Sequence, residues 1–235
     1  MASALHYMGT MEQMTTRPQP TSSLAELAIV LPAASRVFHR HGLDFCCHGG
    51  RPLAEACAER GLDPEAVLAE VVAEGQGVTK ERWDQRPLGD LVDFIVGYYH
   101  ARLRTELPEL LAMAERVEMR HAEKASCPRG LAAHIAHVHQ AVLEHLEKEE
   151  QILFPMLKSG RGALAAGPIQ VMELEHDDHA VSLRRTRALA HDLTPPEEAC
   201  NTWRALYLRL AEFEAELMEH IHLENHVLFQ RALCA

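Results

Sequence analysis

Two pairs of residues in this chain have the types and the spacing that metal chemistry needs. His145 stands four residues before Glu149, and His220 stands four residues before Glu224. On a helix, positions i and i+4 lie on one face, so each imidazole would stand one turn from its carboxylate. Imidazole nitrogens and carboxylate oxygens both bind divalent transition metals, so the two pairs predict metal ligation.

Both pairs interrupt apolar stripes of helical period. On the first stripe the other positions are Leu131, Ile135, Val138, Val142, Ile152 and Met156. On the second they are Trp203, Leu206, Leu210, Phe213, Leu217 and Val227. A carboxylate buried in such a stripe without a partner costs several kcal/mol. A helical bundle without metal is the alternative, and this burial cost counts against it.

The stripes of the two other long helical segments also carry histidines, among them His100 and His176, so four segments each contribute an imidazole. The predicted ligand set is His100, His145, Glu149, His176, His220 and Glu224. Six protein ligands are too many for one tetrahedral zinc ion and suit two ions that share bridging carboxylates. Imidazole and carboxylate ligands with open positions favour iron, and zinc and manganese are to be excluded by experiment.

The elements that must hold these residues are predicted as four long helices, at about 87–121, 129–158, 168–192 and 196–231. Glycine- and proline-containing breaks separate them, and Thr194-Pro-Pro-Glu197 is expected to combine a turn, a proline start and a capping box. Pro108 is expected to kink the first helix. Four long helices with short connections predict an all-α, antiparallel four-helix bundle.

A smaller helical unit precedes the bundle. Ser23 and Glu26 have capping-box spacing, which predicts a helix from Leu24 to His41 that ends at Gly42. The sequence therefore predicts a flexible tail at 1–22, a small helical domain at 23–76, a polar linker at 77–86 and the bundle at 87–232.

Composition limits the classes of partner. The formal net charge is −11, which makes nucleic acid and anionic membranes poor partners. The sequence has no apolar run long enough to span a bilayer and no apolar segment of signal-peptide type near its start, so we expect a cytoplasmic protein. Four isolated cysteines are expected to be ordinary, mostly buried thiols: Cys57, Cys127, Cys200 and Cys234.

Most other histidines fall off the stripes and are expected on solvated faces: His134, His137, His139, His191, His222 and His226. His179 shares a stripe with His176 and is either an outer partner or an alternative ligand. His121 lies roughly 30 Å from His100 at helical rise, so it cannot join the same centre.

The order of ligands distinguishes classes of dinuclear centre. Ferritin-like centres use Glu-x-x-His and a majority of glutamates. His-x-x-x-Glu with a majority of histidines resembles the haemerythrin-like class. A haemerythrin places two histidines four apart on its third helix, whereas Ala180 stands four residues after His176 here. The smaller histidine set leaves more open coordination positions, which suits reactivity better than oxygen carriage.

The chain most resembles the RIC family (repair of iron centres, the YtfE/ScdA type). The motifs that carry the resemblance are Asp44-Phe-Cys-Cys47, Glu147 to Met156 with His145, Glu173-Leu-Glu-His176 and His220-Ile-His-Leu-Glu-Asn225. They extend over nearly all of residues 23–232, and the inserted His48 is a departure from the family pattern.

The resemblance implies a cytoplasmic protein that repairs iron–sulfur clusters damaged by nitric oxide or oxidative stress. It implies two non-haem iron ions bridged by Glu149 and Glu224, with an oxo or hydroxo bridge. The implied partners are damaged iron–sulfur proteins and nitric oxide or O2 as a small ligand, and a homodimer stays open. Repair by iron donation, reduction of nitric oxide to nitrous oxide, and a haemerythrin-type oxygen or redox sensor are the alternatives.

Cys46 and Cys47 are the candidate redox or transfer residues. Adjacent cysteines cannot easily bridge to each other, so they suit exchange with a partner thiol or ligation of a metal. Arg40, His41, His48 and Arg51 are expected to favour the thiolate form. Two ordinary thiols in a packed loop are the alternative, and we expect the loop to dock against the bundle.

Overall fold

The computed structural model of the chain describes residues 18–234, and every regular element within that range is a helix. The all-α prediction is therefore confirmed. Of the tail predicted at 1–22, residues 1–17 lie outside the described range. No helix of the described range has both the length and the apolar character that a bilayer span requires.

The N-terminal domain contains four short helices. Ser23 and Glu26 form the predicted capping box at the first of them. The single helix predicted from Leu24 to His41 is wrong, because Pro32 forces the extended backbone of Leu31 and divides it in two. The helices are α1 (Leu24–Val30), α2 (Ala34–Arg40), α3 (Leu53–Arg60) and α4 (Pro64–Glu74).

Four long bundle helices follow, and three of them contain a short π-helical segment. The first bundle helix is α5 (Leu88–Phe94), a π segment (Ile95–His100) and α6 (Ala101–Arg120). The second is α7 (Leu131–Lys148), a π segment (Glu149–Leu153) and α8 (Phe154–Lys158). The third is α9 (Ala166–Leu189), and the fourth is α10 (Asn201–Leu223), a π segment (Glu224–Leu228) and α11 (Phe229–Leu233).

The helix boundaries agree with the prediction to within a few residues, except at the start of the fourth bundle helix. The capping box predicted at Thr194 and Glu197 is wrong, because both residues lie in the preceding loop and Cys200 is the N-cap. Pro108 lies inside α6, which is helical on both sides of it.

The π segments change which residues face the core. Ile152 was predicted on the buried stripe, but its side chain is 55% exposed, whereas the neighbouring Leu153 is buried. A π segment inserts one extra residue into a helical turn, so the apolar stripe continues one position later. Each of the three segments begins or ends at a predicted ligand, namely His100, Glu149 or Glu224.

The N-terminal domain covers one face of the fourth bundle helix. Phe45 packs edge-on against His222, with ring centroids 5.7 Å apart. His222 is fully buried, so its predicted exposure is wrong, and His226 beside it is half-buried. Both histidines lie under this domain, which the stripe of the fourth helix alone could not reveal.

Candidate metal centre

Two sets of four ligand atoms lie side by side in the centre of the bundle. One set contains His100 and His220, and the other contains His145 and His176. Glu149 and Glu224 belong to both sets, and within each set all four atoms lie within 4.8 Å of one another. All six predicted metal ligands therefore meet at one place, in an arrangement that offers two metal positions joined by two carboxylates.

The imidazole nitrogens converge in pairs. His100 Nε2 lies 3.2 Å from His220 Nε2, and His145 Nε2 lies 3.1 Å from His176 Nε2. Two imidazoles on one ion with bonds of about 2.1 Å have nitrogens about 3.0–3.4 Å apart. The observed spacing therefore fits two nitrogens that face a common cation.

Hydrogen bonds on the outer side of three rings fix which nitrogen is free. The Nδ1–H of His100 donates to Glu150 Oε1 at 2.7 Å, and that of His145 donates to Glu175 Oε2 at 2.9 Å. The Nδ1–H of His176 donates to Asn225 Oδ1 at 2.7 Å. Since each ring donates through Nδ1, its Nε2 keeps a lone pair for a metal, as metal-binding histidines commonly do.

The buried carboxylates test whether a cation fits. Glu149 is fully buried, and neither of its oxygens has a hydrogen-bond partner. The nearest imidazole nitrogens, on His100 and His145, lie 3.4 and 3.5 Å from Oε2. Such an arrangement would be costly in a core without a cation, because removing a carboxylate from water costs several kcal/mol. The donor set therefore fits metal ions.

The electrostatics of the protein alone follow the same logic. Burial alone would raise the pKa of Glu224, but His220, His100 and His176 outweigh it and lower that pKa well below its usual value. Burial would likewise lower the pKa of His100, yet Glu149 and Glu224 raise it to about 10. Without metal, the raised pKa of His100 therefore places a positive charge beside these carboxylates.

His179 and Ala180 mark the edge of the centre on the third bundle helix. His179 is buried edge-on against His145, with ring centroids 5.0 Å apart, but it belongs to neither ligand set. Burial lowers the pKa of His179 to about 3, so the ring is neutral. Ala180 lines a separate cavity and supplies no ligand. His121 lies at the other end of the bundle beside Cys200, as expected from its distance.

The Cys46–Cys47 loop docks on the bundle directly outside this centre. Asn225, which accepts from His176, also donates through Nδ2 to the carbonyl oxygen of Cys46 at 3.0 Å. The thiol of Cys47 lies 3.6 Å from the carbonyl oxygen of His176. One amide side chain therefore connects a predicted ligand to the cysteine loop.

The expected thiolate character of Cys46 is wrong. Its contact with Cys47, together with burial and Asp44, raises the pKa of the Cys46 thiol well above its usual value. The neighbouring cations are engaged elsewhere: Arg40 and His41 pair with Glu70, His48 with Asp44, and Arg51 with Glu55. Of the isolated cysteines, Cys57 and Cys127 are buried as expected, whereas Cys200 and Cys234 are exposed.

Sequence reasoning missed the outer partners Glu150, Glu175 and Asn225. Glu150 and Asn225 each directly follow a predicted ligand, and Glu175 directly precedes one. They are off the apolar stripe, so periodicity gave no signal for them. A polar residue next to a buried ligand is the signal that could have found them.

Two family models match the chain. Residues 20–74 match the model ScdA_N, described as a domain of unknown function, and residues 94–232 match the hemerythrin HHE cation binding domain. Iron-sulfur cluster repair proteins YtfE from Yersinia pseudotuberculosis serotype IB (strain PB1/+) and Yersinia pestis (strain Pestoides F) are each 50% identical over 212 residues. Each match covers 90% of this chain and 96% of the relative. The chain therefore belongs to the YtfE family, with a hemerythrin HHE cation-binding domain as its bundle.

Proposed function

We propose that this protein repairs damaged iron–sulfur clusters and holds two non-haem iron ions in its bundle. The proposed ligands are His100 and His220 for one iron and His145 and His176 for the other, with Glu149 and Glu224 as bridges. The names of the relatives and the match to a cation-binding domain support this function. The relatives' name also makes damaged iron–sulfur proteins the proposed partners.

The two overlapping ligand sets are the observation that carries the proposal. Each set contains two imidazole nitrogens and two carboxylate oxygens. Such mixed nitrogen and oxygen donors suit iron, which prefers six ligands and would keep open positions on each ion. When bound, the iron pair would supply redox chemistry and a stock of transferable iron.

In this proposal, the histidines with their outer hydrogen-bond partners hold the iron, and the cysteine loop takes part in its transfer. Glu150, Glu175 and Asn225 orient three of the histidines, which makes the centre rigid on its outer side. The proposed transfer residues, Cys46 and Cys47, stand just outside, where Asn225 links their loop to His176. We assign the cysteine loop to a domain at 23–76 and the iron pair to a domain at 87–232, with a linker at 77–86.

Reactivation of a nitric oxide-damaged [4Fe–4S] dehydratase tests the function. The iron-loaded protein should restore the activity of the dehydratase, and the Glu224→Gln variant should neither bind iron nor repair the enzyme. His137→Ala is a matched control, because His137 is an exposed histidine on the same helix as His145. Repair by Glu224→Gln without bound iron would refute the proposal.

Reduction of nitric oxide to nitrous oxide is the second candidate function. The four protein donors in each set favour it, because a six-coordinate iron would keep two positions for small molecules. Purified iron-loaded protein is mixed with nitric oxide and a reductant, and both nitrous oxide and iron loss are measured. Many turnovers with iron retained would establish the reductase, whereas iron transfer to an apo-cluster acceptor without gas would establish the donor.

A further inference from the structure

A cavity of about 460 Å³ lies between the N-terminal domain and the third and fourth bundle helices. It is separate from the metal centre, since none of the six proposed ligands lines it. Cys46 and Asp44 line it on one side, and Arg184 and Ile221 line it on the other. Sites for small organic ligands have volumes of about 300–1,000 Å³, so this one admits a molecule the size of a small peptide.

The cavity carries cations that the protein leaves free. Of its four arginines, Arg40 and Arg187 are held by carboxylates of the chain. Arg60 and Arg184 have no carboxylate within 4.0 Å in the described range 18–234. Arg60 ends α3, and Arg184 lies on α9, so the two free guanidinium groups come from opposite walls.

Gly42 gives Arg60 its place at this cavity. The backbone of Gly42 is left-handed, with φ +65°, and a Cβ there would lie 2.8 Å from Arg60 Nη1. Only glycine takes this conformation without strain and leaves room for the guanidinium group. Guanidinium groups bind carboxylates through paired hydrogen bonds, so two free ones predict a ligand with two carboxylates.

The thiols specify the ligand further. A carboxylate oxygen of Asp44 and the sulfurs of Cys46 and Cys47 lie within 4.8 Å of one another. Of these three groups, Asp44 and Cys46 line the cavity. A thiol brought by the ligand can donate a hydrogen bond to the Asp44 carboxylate, whereas a simple dianion would be repelled by it.

We propose that this cavity binds a small thiol with two carboxylates, of the glutathione type. Its carboxylates pair with Arg60 and Arg184, and its thiol faces Asp44 and Cys46. The role of this thiol rests on the proposed repair function, in which the thiol would carry ferrous iron between the cysteine loop and the cytoplasm. Binding itself does not depend on repair.

Anaerobic calorimetry of the iron-loaded protein with reduced glutathione tests the proposal. Arg60→Ala and Arg184→Ala should each raise the Kd about tenfold, which corresponds to about 1.4 kcal/mol. Arg185→Ala is the matched control, because Arg185 is the next residue of α9, is exposed and does not line the cavity. It should bind glutathione as the unaltered protein does. S-methylglutathione should bind more weakly, and inorganic phosphate should not compete.

Three results would overturn the proposal. One is the absence of binding at millimolar glutathione, and another is a Kd for Arg60→Ala and Arg184→Ala that equals the Kd of the unaltered protein. The third is equal binding of S-methylglutathione or effective competition by phosphate, which would indicate a general anion site. Iron content is measured on the same samples, so loss of the metal centre is distinguished from loss of thiol binding.

Discussion

Asn225 connects the proposed iron ligand His176 to the cysteine loop, and the effects of removing its side chain can be calculated. Asn225→Ala leaves the Nδ1–H of His176 and the carbonyl oxygen of Cys46 buried without their partners. Each unsatisfied buried group costs about 1–3 kcal/mol, so the free energy of unfolding of the metal-free protein should fall by about 2–6 kcal/mol. Loss of an outer partner of a metal ligand should lower iron affinity about 10–100-fold.

Two further variants separate these effects. Asn225→Asp keeps an acceptor for His176 but loses the donor to Cys46, so iron affinity should fall less than in Asn225→Ala. Asn201→Ala is the matched control, because Asn201 is exposed at the start of α10. Urea unfolding and chelator competition measure the two quantities. Iron affinity and stability of Asn225→Ala within the error of the control would refute this account of the link.

Two other predictions concern packing and charge. Gly49→Ala would place a Cβ 2.2 Å from the carbonyl oxygen of Phe45, whereas a Cβ at Gly50 meets nothing within 4 Å. Thermal unfolding should show that Gly49→Ala lowers the free energy of unfolding by about 1–3 kcal/mol and that Gly50→Ala changes it little. Equal stabilities of the two variants would contradict this prediction. Burial alone would raise the pKa of Glu214, but His39 and Arg187 outweigh it and lower that pKa below 4.5. The stability from Glu214 is therefore present above pH 4.5 and lost as pH falls through the folded pKa. At pH 7, Glu214→Gln should be less stable than Glu212→Gln, a control at an exposed position, by about 1–3 kcal/mol. Urea unfolding should show that this difference in the free energy of unfolding disappears in acid. A difference that does not depend on pH would contradict the role given to the Glu214 charge.

The sequence predicted the convergence of the six proposed ligands, because the cost of burying such residues on an apolar stripe is visible in the pattern. A carboxylate such as Glu149 on an apolar stripe has few explanations other than a cation, and four neighbouring stripes gave consistent positions. The helix boundaries were also accessible, since glycine and proline mark them.

The remaining features depend on contacts that periodicity does not contain. The π segments shift the register, so Ile152 was assigned to the core in place of Leu153. The apolar stripe of the fourth bundle helix predicts that His222 is exposed, because periodicity along one helix carries no information about a second domain that packs on it. The thiolate form of Cys46 is predicted from cations that are near it in the sequence. In the fold those cations pair with carboxylates instead, so they do not lower the pKa of the thiol.

Metal stoichiometry tests the central claim most directly, because the bridging and terminal ligands should behave differently. After anaerobic loading, the protein should hold near two irons per chain, one for each ligand set. His145→Ala removes a ligand from one set and should retain near one iron, whereas Glu224→Gln alters both sets and should retain almost none. One iron in the unaltered protein, or equal losses in the two variants, would contradict a centre bridged by shared glutamates.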